Sequence, residues 1–229
     1  MVEIQKKYQI KLRRVGIVNW IGAYNLYFKE INRFLIVWAQ TLLSPLVSSL
    51  LFLSVLTLAL GNDRGEVLGF SFISFLAPGL IAMSIIQQGF SHSVSSLMIA
   101  KIQGNIVDTL MAPLSAAEVT LAIILAAVTR SIIILIISVI VFSLIIEIHI
   151  YNIIYIFIGA FLGSFILGAL GFITGLWAEK FDHTATITNF IVTPLSFLSG
   201  VFYSVDRLPA FFQSISKINP FFFIIDITR

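Results

Sequence analysis

Three histidines, eleven carboxylates and no cysteine are the main reactive groups this 229-residue chain offers. Without cysteine there is no disulfide frame, no thiolate metal site and no cysteine nucleophile. His92, His149 and His183 are scattered and lack metal-ligand spacing, so each reads as a polar loop or interface residue. Glu118, Glu147, Glu179 and Asp182 stand at the edges of long apolar runs, where a solvated role is the default. No polar residues are expected to converge inside those runs, as an enzyme working within lipid would require. The phosphate loop GxxxxGKS/T, the metalloprotease HExxH and the nucleophile elbow GxSxG do not occur. The expectation is a chain that is not an enzyme, with no catalytic residues, no metal and no cofactor of its own.

One polar segment is patterned. In KIQGNIVDTLMAPLSAAEV, residues 101–119, apolar positions Ile102, Ile106 and Leu110 continue from Ile99 at helical spacing. Lys101, Gln103, Asn105 and Asp108 lie between them, which predicts a short amphipathic helix. Ala112-Pro113-Leu114 ends it. Ser115 and Glu118 then have capping-box spacing, in which the hydroxyl caps a new helix and the carboxylate reaches back. Such a segment either presents a surface to a partner or covers the end of a bundle.

The elements that carry this segment follow from composition. The chain is 59% hydrophobic and 11% charged, with mean hydropathy +1.03. A soluble domain carries about a quarter charged residues, so lipid is the solvent for most of this surface. Five apolar spans fit, roughly 34–60, 69–91, 126–146, 153–177 and 186–203. None alternates with the period of two that a transmembrane barrel needs, and the fold class is all-α, a polytopic transmembrane helical bundle. Seven of the fourteen Lys and Arg fall in the first 33 residues, which keeps the N-terminus in the cytoplasm. No aromatic-basic platform follows them, so nucleic acid is not an expected partner. Nor does the N-terminus read as a cleaved signal, because the first apolar run is too long and no small-residue cleavage site follows.

Residues 17–33 read as a helix in the membrane interface. Trp20, Ile21, Tyr24 and Phe28 share its apolar face, and Asn19, Lys29, Glu30 and Arg33 share the polar one. Arg130 interrupts an apolar run. Starting the third span near residue 126 lets it snorkel to the inner boundary as an interface anchor, and leaves 116–125 as a separate helix. Gly159/Gly163 and Gly171/Gly175 have GxxxG spacing and are expected to pack within the bundle. Pro45, Pro78 and Pro194 lie inside spans and can kink them. Residues 204–218 read as an outer re-entrant or interfacial helix, and 219–229 as the start of a further span.

Several pieces, in this order, resemble the ABC-2-type permeases, the membrane subunits of ABC exporters. They are KEINRF before the first span, FLAPGLIAMSII in the second, IQGNIVDTLMAPLSAAEV after it, EKFDH between the fourth and fifth, then TPLSFLSGVFYSVDRLP and INPFFFIIDITR. The resemblance runs from about Trp20 to Arg229. It implies that residues 1–33 form a cytoplasmic N-terminus with an interface helix and that 34–229 form the transmembrane domain, with five complete spans and the start of a sixth. It implies that residues 95–118 are the coupling region that docks on a cytoplasmic ABC ATPase, with Lys101, Gln103, Asn105, Asp108, Pro113 and Glu118 as candidates. It further implies a bacterial inner-membrane location, a dimer with a second copy or a paralogue, contact with lipid, and ATP and Mg bound by the ATPase subunit. The cargo suited to such spans is amphipathic: a drug, a lipid or a glycan-lipid. The other reading is an ATP-independent secondary transporter or a membrane assembly subunit. A coupled transporter needs intramembrane acids or inverted repeats, and neither is visible.

Overall fold

The computed structural model describes residues 16, 18–60, 71–146, 152–203, 205 and 209–228. His149, Glu147, Arg64, Arg207 and the basic residues before Gly16 lie outside them. Among the described residues every regular element is helical.

Helix α1, Trp20–Ile36, starts at Asn19, whose side-chain oxygen accepts from the Gly22 N–H. A turn at Val37 leads into a π-helical stretch, Ala39–Leu43, and then α2, Ser44–Leu60. The π stretch has a local cause. Pro45 has no N–H to offer the carbonyl of Thr41, and its ring crowds that carbonyl, so the preceding turn widens. Pro194 follows a second π stretch, Thr188–Val192, for the same reason.

Helix α3, Phe72–Ile102, has 31 residues and passes Pro78 without breaking. It is about eleven residues longer at its C-terminal end than the expected span 69–91 (102 less 91). It stops where Gly104 adopts φ 75°, a left-handed conformation that glycine takes without steric cost. The chain then forms a six-residue helix α4, Ile106–Met111. One amphipathic helix was expected from Ile99 to Leu110; the reversal at Gly104 divides it.

Helix α5, Ala116–Ser143, begins with the expected capping box: Ser115 N–H donates to Glu118 Oε2 at 2.7 Å, and Glu118 N–H donates to Ser115 Oγ at 3.3 Å. It is continuous. The separate helix expected over 116–125 is absent because nothing in AAEVTLAIILAAVTR breaks a helix. Helix α6, Ile153–Trp177, is capped by Asn152. Among the described residues, four stretches are long and apolar enough to cross a membrane: Ala39–Ala59, Phe72–Ile102, Ala116–Ser143 and Ile153–Trp177.

The expected fifth span, 186–203, falls on a continuous helical run, 181–197, that ends short of it. Helix α7, Phe181–Ile187, the π stretch and α8, Thr193–Phe197, follow one another in pieces of seven, five and five residues. Gly200, at φ 81°, then turns the chain. The carbonyls of Leu195 and Leu198 are taken by Asn219 Nδ2 at 2.6 Å and Ser216 Oγ at 2.9 Å. Those bonds seat α9, Ala210–Ile218, and direct α10, Pro220–Thr228, back into the bundle.

Helices α3, α5 and α6 pack on one another as the centre, with α1 along α5 and α10 against α3 and α6. The α3–α6 contact is close enough that a Cβ on Gly171 would stand 2.4 Å from the Phe90 carbonyl oxygen. One on Gly175 would meet Leu97, and one on Gly163 would meet Ile224 of α10. Gly159 is buried on the same helix.

Candidate functional site

Two constellations stand out, one at the end of the bundle that carries residues 101–118 and one inside it.

At the end, Lys101 folds inward. Its ammonium donates to the carbonyls of Leu176 and Ala178 at 2.7 and 2.8 Å, where α6 runs out of N–H partners. Gln103 and Asn105 bond to each other at 3.1 Å. Asp108 is exposed on α4. Pro113 and Glu118 are tied to α1: Asn19 Nδ2 donates to the Pro113 carbonyl at 3.0 Å, and the Asn19 N–H donates to Glu118 Oε1 at 2.5 Å. Glu118 therefore caps the starts of both α5 and α1. Leu114 sits against Gly22 so closely that a Cβ there would lie 2.7 Å from it. Of the six candidates, then, Lys101, Pro113 and Glu118 are held by the bundle, Gln103 and Asp108 face outward, and Asn105 is half-buried, bonded to Gln103's amide. The exposed apolar side chains here are Ile102 at the end of α3 and, on α4, Val107, Leu110 and Met111, the last two 72% and 81% exposed. The base of the segment is thus bonded to the bundle, and its tip is apolar and singly charged.

Inside the bundle, charges gather that the sequence reading left apart. Glu30, expected on the solvent face of α1, is 4% exposed. The helix turns Trp20, Ile21, Tyr24 and Phe28 outward and Leu26, Glu30 and Phe34 inward. Arg33 Nε donates to Glu30 Oε2 at 3.0 Å, and its Nη2 reaches the His92 carbonyl at 3.4 Å. His92 is fully buried, with Nε2 3.8 Å from the same Glu30 oxygen and its ring edge-on to Phe34. Arg130, expected to snorkel, is 7% exposed and lies mid-helix, fourteen residues from Ala116 and thirteen from Ser143. Its Nη2 donates to Gln88 Oε1 and, at 3.3 Å, to the Thr41 carbonyl, the one Pro45 cannot serve. These two acceptors are why Arg130 need not reach the membrane boundary. Tyr27 and Thr129, hydroxyl to hydroxyl at 2.7 Å, fasten α1 to α5 beside it.

Insertion scales put an arginine at mid-span at on the order of 2.5–3.5 kcal/mol. The cluster is thus a costly feature as well as a buried one. Signals for it were present in the sequence. Glu30 and Arg33 are i, i+3, His92 and Gln88 sit in an apolar run, and Arg130 interrupts another; only their meeting required the fold. The other histidine described, His183, lies against Trp177 at an exposed turn with Glu179 and Asp182, and no metal-binding group of His, Asp and Glu occurs among the described residues.

Residues 23–229 match the family described as ABC-2 type transporter. This chain belongs to the ABC-2 type transporter family. The inner membrane transport permease YadH of Escherichia coli strain K12 is 30% identical over 206 residues, 90% of this chain and 80% of that protein. Nodulation protein J of Rhizobium leguminosarum bv. trifolii is 24% identical over 220 residues, 93% of this chain and 81% of its own. The protein is therefore a multi-pass inner-membrane transport subunit of the ABC-2 type. Membership brings with it an ABC system and an ATPase partner, since the family supplies the membrane half of such transporters.

Proposed function

We propose that this ABC-2 subunit is the permease of an ATP-driven exporter. Its N-terminus faces the cytoplasm, and residues 101–118 form the surface on which a separate ATPase pushes. Two such subunits, identical or paralogous, enclose the route, and ATP and Mg are bound by the ATPase. The cargo is an amphiphile. The observation that carries the reading is the contrast within the end segment. The tip of α4 offers Leu110, Met111 and Asp108 to a partner, while Lys101, Pro113 and Glu118 bond its two flanks to α6, α1 and α5. A push on the tip is thereby delivered to three helices. A transport cycle needs the bundle to have two arrangements whose balance the nucleotide state of the ATPase biases.

The test is co-purification. The tagged chain, expressed with its genomic neighbours and extracted in a mild detergent, is expected to bring down an ABC-type ATPase. Asp108→Lys should insert normally and retain less of it. A correctly inserted chain that brings down no ATPase would favour ATP-independent transport or an assembly role.

A further inference from the structure

Arg130 carries a full charge into the middle of the bundle and meets no carboxylate there. Among the described residues the ion pairs are those of Glu30 with Arg33 and, at longer range, His92. Both acceptors of Arg130 are neutral, and its Nε makes no hydrogen bond. Two guanidiniums thus stand against one carboxylate, bonded to Arg33, and the cluster holds a surplus positive charge even with His92 neutral.

Helix α3 places a run of uncharged polar residues beside that charge. Eight of the thirteen residues from Ser84 to Ser96 are polar, and none is an acid. Ser84, Gln88, Ser91 and Ser95 recur at i, i+4, i+7 and i+11, one face of the helix, and each is at least partly exposed. Next to that face His92 is fully buried, and its ring nitrogens make no hydrogen bond. Arg33, with 27% of its side chain exposed, stands at the edge. A partly open polar face thus adjoins a buried imidazole and a guanidinium that no carboxylate pairs.

We propose that this cluster binds the phosphate group of an anionic amphiphile, with Arg130 as the pairing charge and Arg33 at the entrance. A phosphate offers several oxygens to donors on different helices, and guanidinium is the side chain that best matches them. A cation is repelled by the same surplus. The ligand needs an apolar body because α1 and α2 turn exposed apolar side chains outward, among them Tyr24, Phe28, Val47 and Leu51. The naming of this amphiphile as cargo rests on the export reading; the phosphate site does not, and its test uses no ATPase.

The full chain is purified from membranes into mild detergent with equal amounts of phosphatidylglycerol and phosphatidylcholine, and retained lipid is measured by native mass spectrometry. The wild type is expected to prefer phosphatidylglycerol about tenfold. Gln88→Glu places a carboxylate where Arg130 already has its acceptor, so the fold keeps its contact while the surplus charge is cancelled. That variant and Arg130→Gln should bring the preference close to parity, and Arg130→Lys should keep most of it. Inorganic phosphate at millimolar concentration that displaces the lipid would mark a site that also takes the free anion; lipid held against phosphate would mark a headgroup site. Equal phosphatidylglycerol retention by wild type and Gln88→Glu would overturn the proposal, and would leave the permease reading to its own co-purification test.

Discussion

Gly171→Ala tests the closest contact in the bundle. The added Cβ would lie 2.4 Å from the Phe90 carbonyl oxygen, with the Phe90 carbonyl carbon and Cα at 3.1 Å. All three are helix backbone, which cannot swing aside as a side chain can. To reach even 3.0 Å the helices must part by 0.6 Å (3.0 less 2.4). A gap of about 0.5–1 Å forfeits a quarter to a half of each dispersion contact along the seam. The α3–α6 seam is the most extensive in the structure, so the cost falls in the overpacking range, about 1–3 kcal/mol. For a chain of this size that corresponds to a melting temperature lower by roughly 2–12 °C. Gly163→Ala is the control. Its Cβ would meet the Cδ1 of Ile224 at 2.9 Å and its Cγ2 at 3.1 Å, atoms of a side chain that can turn about 30° off its rotamer for about 0.5–1.5 kcal/mol. The assay is thermal unfolding in mild detergent followed by size-exclusion recovery. If Gly171→Ala melts with the wild type, or Gly163→Ala is the worse of the two, the seam is not packed as described.

Asn19→Ala removes the N-cap of α1 and the link to the Pro113 carbonyl. A lost cap costs about 0.5–2 kcal/mol, so unfolding should shift modestly while retention of the ATPase falls, both read on one preparation. Leu110→Asp alters a side chain with no packing role, so stability should stay within about 0.5 kcal/mol of wild type while the co-purified ATPase decreases. Unchanged ATPase recovery would remove the α4 tip from the docking surface.

What was legible in the sequence is what depends on local pattern. The apolar runs became the long helices, and Ser115 with Glu118 formed their capping box because that motif needs only four consecutive residues. Helix ends were harder. Ile99, Ile102, Ile106 and Leu110 keep helical spacing across Gly104, and periodicity does not register that a glycine has taken a positive φ. The run 186–203 has the composition of a span, yet its helix ends at Phe197 and the chain reverses at Gly200. Arg130 was misread for a related reason. An arginine in an apolar helix is assigned to the membrane boundary when its acceptors are unknown, and these acceptors lie 42 and 89 residues away in sequence. Glu30 and Arg33 were placed on a solvent face because amphipathicity tells which residues share a side, not which side faces the bundle. In this helix both faces are used, the aromatic one outward and the charged one inward.

That two-faced helix connects the two constellations. At its N-terminus α1 is bonded through Asn19 to Pro113 and Glu118, and near its C-terminus Arg33 and Glu30 meet His92. Between them Tyr27 holds it to Thr129, so α1 and α5 run side by side over the stretch from Asn19 and Glu118 to Tyr27 and Thr129. From Asn19 to Arg33 is about 21 Å of helix at 1.5 Å per residue. A helix fastened at both ends over that distance moves as a unit or breaks a bond at one end. The base of α4 and the carboxylate that engages Arg33 are therefore attached to the same rigid element. Displacing the end segment relative to α3 would pull on the Glu30–Arg33–His92 contact before it disturbed the apolar seam between α3 and α6, because the former joins α1 to α3 through a few polar atoms and the latter is backbone packed on backbone.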